Sequence, residues 1–146
     1  MKAAFALAAS ALTLTSCGSP KQVAVEHAWV RLPAVADRPA AAYFELHGGP
    51  ADTILVGVDS PDAARAEMHE SKVENGISSM APLPQVDLPA GQTVAFAPGG
   101  KHVMLFGLNP GIAPGGTVRL HFTFADGRTL DEAVPAIAAN APNPEN

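Results

Sequence analysis

Cysteine is nearly absent from this chain: of 146 residues only Cys17 carries a thiol. A lone cysteine cannot form an internal disulfide, and it excludes the cysteine pairs of structural zinc sites. Basic residues are also scarce, nine Lys and Arg against fourteen Asp and Glu, for a net charge of −5. With no basic patch, nucleic acid is not an expected partner. No carboxylate-rich calcium loop and no glycine-rich phosphate loop occurs. Long apolar helical patterns and internal repeats are missing as well. Thirteen glycines and fourteen prolines punctuate short apolar segments instead, which is the composition of an all-β domain rich in turns.

The N-terminus supplies the one long apolar run. Lys2 precedes Ala3 to Leu14, a run with the length and flanks of a secretory signal and too short for a mature membrane span. It ends in Leu14-Thr15-Ser16-Cys17, which resembles a bacterial lipobox. The expected organisation is a lipoprotein signal peptide at 1–16 and a lipidated N-terminus and tether at 17–22. A β-sandwich domain at 23–135 and a flexible C-terminal tail at 136–146 complete the chain. Acylated Cys17 would anchor the protein to a membrane and leave the mature domain without a thiol. Thiolate catalysis and a blue-copper electron-transfer centre are then both excluded, since the latter requires a cysteine ligand.

Strand-like segments follow at Val23–Arg31, Ala41–His47, Thr53–Val58, Arg65–Val73, Ile77–Pro82, Gln92–Ala97, Lys101–Leu108, Thr117–Phe124 and Thr129–Val134. Asn75-Gly76 is a strong two-residue hairpin signal, and Pro98-Gly99-Gly100 marks a second hairpin candidate. In Thr117–Phe124, Val118, Leu120, Phe122 and Phe124 alternate with polar residues, as in a half-buried strand. Regular strands of this length predict a sandwich or barrel of antiparallel strands.

Four side chains carry the chemistry. Apart from Met1, every methionine lies between Met68 and Met104. His102 and Met104 are two apart on a strand, so they share a face. If Asn75 and Gly76 form the whole loop, Glu74 faces Ile77 and Ser71 faces Met80. His69 then shares a face with Met80 as its diagonal neighbour, at a separation of about 7–8 Å. The same register sends Met68 to the opposite face, toward the core; a three-residue loop with a bulge would reverse that parity. Two thioethers and two imidazoles suit a soft ion, Cu(I), over zinc, magnesium or calcium. His27, His47 and His121 have no local nucleophile or acidic partner that would suggest a catalytic triad, so the chain reads as a non-enzyme.

Together these residues spell His69-x10-Met80-x21-His102-x-Met104, which resembles the motif of the periplasmic copper chaperones called PCu(A)C. Four such fixed positions coincide by chance in about 10⁻⁵ of chains. Ala28-Trp29-Val30-Arg31, Ala41-Ala42-Tyr43-Phe44, Leu88-Pro89-Ala90-Gly91 and Pro98 through Leu105 are also similar to that family, and the likeness runs from about Val25 to Val134. The resemblance implies a cupredoxin-like β-sandwich holding one Cu(I) with His69, Met80, His102 and Met104. It further implies delivery to cytochrome c oxidase in the periplasm, through transient contact with the oxidase's copper subunit or a Sco-type protein. An envelope copper buffer with no dedicated acceptor would need the same ligands. Two departures stand out: Ser71, Val73 and Ser79 occupy places where many relatives have further methionines, and the tail from Ala136 lacks both His and Met.

Overall fold

The computed structural model describes residues 22–144, which places Cys17 and the segment 1–16 outside the described residues. Ten strands follow in chain order: β1 (Ala24–Arg31), β2 (Ala40–His47), β3 (Thr53–Asp59), β4 (Arg65–Glu74), β5 (Ile77–Pro82), β6 (Val86–Leu88), β7 (Thr93–Phe96), β8 (Lys101–Phe106), β9 (Thr117–Phe124) and β10 (Thr129–Ile137). Among the described residues no helix is long and apolar enough to cross a membrane.

The strands run in the order β5-β4-β8-β2-β1-β10-β9-β3-β6, with β7 also on β2. All pairings are antiparallel except one. β1 and β10 run parallel through Val30↔Ala136 and Arg31↔Ile137, and this short seam joins the two halves of the sandwich. The halves pack face to face. Phe44 of β2 stacks on Phe96 of β7 with centroids 4.3 Å apart and meets Phe122 of β9 edge-on at 5.0 Å, both favourable aromatic geometries. Val118, Leu120, Phe122 and Phe124 are all buried, so the alternation of β9 reports its inner face faithfully.

Three features differ from the expectations above. Pro98-Gly99-Gly100 does not close a hairpin: β7 pairs with Phe44–His47 and β8 with Ala40–Ala42, end to end along the same side of β2. Gly99, at φ +83°, lets the chain step outward there, a conformation that carries no Cβ penalty in glycine. The short strand β6, between Pro84 and Pro89, pairs with Thr53–Leu55 but is too brief for its pattern to register.

The third difference is the C-terminal boundary. β10 continues past Pro135 to Ile137 because there it leaves β9 for β1. The Arg31 guanidinium then donates to the carbonyls of Ala138, Ala139 and Ala141 and to Asn143 Oδ1. Much of the expected flexible tail is thus fastened to β1.

Candidate metal centre

The site grows from one hairpin and one neighbouring strand. Asn75 and Gly76 have φ of +53° and +78°, as a type I′ turn requires, and its twist matches the strands it joins. Glu74 therefore pairs with Ile77 and Ser71 with Met80, the register expected from the sequence. Met68 is 6% exposed and packs into the core cluster, on the face opposite His69.

Strand β8 completes the arrangement by pairing with β4. The register sets His69 directly across from His102 and Glu67 across from Met104. The two imidazole rings lie 6.1 Å apart and nearly parallel, at 23°. By strand parity His69, Met80, His102 and Met104 all leave one face of the β5-β4-β8 layer. His102 is buried, Met104 partly so, and Met80 on the edge strand is 52% exposed. The structure thus brings the two histidines together as direct cross-strand neighbours. Met104 stands beside His102, and Met80 lies across Ser71 as the outermost of the four.

The ring nitrogens are distinguishable. His102 Nδ1 lies 3.0 Å from the carbonyl oxygen of Gly100. A carbonyl only accepts, so Nδ1 carries the hydrogen and Nε2 keeps its lone pair for another partner. His69 Nδ1 is shut off from solvent and has no hydrogen-bond partner, an uncompensated polar atom of the kind that costs about 1–3 kcal/mol. Among the described residues no cluster of three or more His, Cys, Asp or Glu is arranged to hold a metal. The two imidazoles need the thioethers to complete a donor set, and that combination suits a soft ion rather than zinc or calcium.

Two further residues stand at the site, Tyr43 and Glu67. Tyr43 lies 6.4 Å from the His102 ring and stacks against Trp29 at 4.6 Å, with Arg31 over the Trp29 face. Burial pushes the Tyr43 hydroxyl above its ordinary range, partly opposed by the charge of Arg31. The phenol wall is therefore neutral at physiological pH. Glu67 places Oε2 3.7 Å from His69 Nε2. Glu67, two residues before His69 on β4, shares its face by strand parity alone, whereas Tyr43 reaches that face only through the β2–β8 register, which no local spacing encodes.

The remaining histidines lie elsewhere, and each has a carboxylate that sequence did not show. His27 meets Glu45 at 3.2 Å, His47 lies between Glu26 and Glu45, and His121 bonds Asp131 at 2.6 Å. Each carboxylate is supplied from a neighbouring position on the sheet rather than from a catalytic loop.

Comparison with known proteins bears on the family and the fold. Residues 23–136 match the family described as "Putative lipoprotein LpqE-like". The chain is 35% identical over 115 residues to "Putative lipoprotein Lxx21020" of Leifsonia xyli subsp. xyli (strain CTCB07), covering 77% of this chain and 68% of that protein. Among solved structures it is similar to the Cu(I) form of DR1885 from Deinococcus radiodurans, at 27% identity and TM-score 0.66, covering 86% of this chain and 85% of that one. It also shares the fold of the copper-bound PCuAC domain from PmoF2, at 22% identity and TM-score 0.65, covering 83% of this chain and 99% of that domain. The all-β PCuAC fold expected from the motif is borne out.

Proposed function

The chain belongs to the LpqE-like lipoprotein family and has the PCuAC fold, and from that premise we propose that it carries one Cu(I) ion outside the cytoplasm. Copper is cargo here, bound by His69, Met80, His102 and Met104 and passed on. The observation that carries this reading is the direct opposition of His69 and His102 on a face that also bears two thioethers. Cu(I) is a soft cation that accepts neutral sulfur and imidazole donors. Thioethers are also not lost to disulfides in an oxidising compartment.

The exposure of Met80 suits transfer rather than storage. Three donors stand on β4 and β8, inside the sheet, whereas Met80 stands on the edge strand, half exposed. An incoming thiolate, thioether or imidazole can replace that donor first, without opening the core. The acceptor is then the copper subunit of cytochrome c oxidase or a Sco-type thiol protein, reached from a membrane anchor at acylated Cys17. The protein itself catalyses no covalent chemistry. The alternative is an envelope buffer without a dedicated acceptor, which would use the same four donors.

The test uses soluble protein beginning at residue 18, titrated anaerobically against a Cu(I) chelator. One equivalent should bind, and His102→Ala and Met104→Ala should each lower the affinity at least about tenfold. Unchanged affinity in both variants would remove the site. Loaded protein mixed with copper-depleted oxidase then separates delivery from buffering, because only a chaperone restores activity faster than free Cu(I)–chelator complex does.

A further inference from the structure

The two histidines are held differently, and the difference assigns a role to Glu67. His102 is oriented by a backbone carbonyl at Nδ1, which leaves Nε2 as its donor nitrogen. His69 has no such carbonyl: its Nδ1 is buried and unpartnered, and the group that faces its other nitrogen is Glu67 Oε2 at 3.7 Å. A carboxylate attracts the N–H of an imidazole and repels its lone pair. Beside Glu67 the stable neutral form of His69 is therefore the one with hydrogen on Nε2 and the lone pair on Nδ1.

Glu67 has a second charged neighbour. Its Oε1 takes a 3.1 Å contact from Arg65 Nε, and the Arg65 guanidinium lies over the Phe106 ring at 4.3 Å. Arg65 and Phe106 are cross-strand partners in the same β4–β8 ladder that pairs Glu67 with Met104. One carboxylate oxygen thus faces Arg65 while the other faces His69.

We infer that Glu67 is a positioning residue for the copper site: it fixes the tautomer of His69 so that Nδ1, not Nε2, binds the metal, while His102 binds through Nε2. The inference rests on the Cu(I) site proposed above and adds which nitrogen of each ring is used and what holds it. Carboxylates that orient metal-binding imidazoles in this way typically contribute 10- to 100-fold in affinity.

Two measurements test it. Long-range proton–nitrogen NMR of the metal-free protein at pH 8 reads the tautomers directly; the expected spectrum has His69 protonated at Nε2 and His102 at Nδ1. His69 protonated at Nδ1 would overturn the inference. Cu(I) competition then compares Glu67→Ala with Glu67→Gln. The amide oxygen of Gln presents the same negative end of a dipole to Nε2–H, so E67Q should stay within about threefold of the unsubstituted protein while E67A loses about tenfold. Equal losses in both would mean that the charge acts on copper itself, and no loss in E67A would mean no role; either result overturns the proposal. His69→Ala separates the two levels: if it loses affinity where E67A does not, only the role of Glu67 falls, and if H69A and H102A both bind normally, the copper site falls with it.

Discussion

At the scale of single residues, two neighbouring positions in one hairpin have opposite duties. Met68 and His69 are adjacent, yet Met68 is 6% exposed inside the core and His69 faces the ligand side. Met68→Ala removes buried thioether volume and should destabilise the fold by about 2–5 kcal/mol while leaving the four donors in place. Met80, more than half exposed, should behave in the reverse way. Met80→Ala should change stability by less than about 0.5 kcal/mol and weaken Cu(I) binding. Urea unfolding of the metal-free variants beside Cu(I) competition separates the two; equal stability losses would mean that the face assignment is wrong.

At the scale of elements, the β4–β5 hairpin holds its register through its turn. All six residues of β5 are exposed, so burial contributes little to fixing its alignment, and the Asn75-Gly76 geometry carries that task. A Cβ on Gly76 meets nothing within 4 Å, but its φ of +78° is costly for any L side chain. Gly76→Val should therefore destabilise the hairpin by about 1 kcal/mol or more. It should also weaken Cu(I) binding, because Met80 depends on the same register. Amide exchange across Val73–Ser78 is the direct readout: faster exchange is expected there, and unchanged protection would show that β5 is held by something other than the turn. Gly48 is constrained differently: a Cβ there would lie 2.2 Å from the Pro89 carbonyl oxygen, so the close approach of two loops requires glycine.

At the scale of the whole molecule, polar clamps between residues distant in sequence fasten a turn and the C-terminal segment to the sheet. Asp62, in the turn after β3, accepts from the backbone N–H and the guanidinium of Arg119 on β9. These hydrogen bonds, the side-chain ones foremost, hold its carboxyl below the usual carboxylate range. A carboxyl whose folded-state pKa is depressed adds stability above its unfolded value and loses it as pH falls through the folded value. Melting temperature should thus decline as pH drops below the ordinary carboxylate range, and Asp62→Asn should flatten that acid limb. An identical pH profile in the variant would show that the clamp does not couple to folding. In the second clamp, Arg31→Leu removes the donors that hold 138–143, so amide exchange in that segment should accelerate while β9 stays protected. Unchanged exchange there would mean that the Arg31 contacts do not secure the segment.

The sequence by itself determined nine of the ten strand segments, the Asn-Gly turn and, through that turn, the register that keeps His69 with Met80 and sends Met68 inward. It also determined that His102 and Met104 share a face. All of these are local: period-two alternation and a two-residue turn act over a few residues. Tertiary structure decided what local pattern does not encode. β8 lies between β4 and β2, and that placement alone sets His69 opposite His102 and brings Tyr43 to the site. The same long-range pairing turned an expected hairpin into two strands set end to end along β2, and drew the C-terminal residues onto β1. Adjacency of strands distant in sequence is settled by burying apolar faces together, with Phe44 against Phe96 and Phe122 at the centre. Each half of the proposed four-donor set was therefore legible in the sequence, while their meeting belonged to the fold.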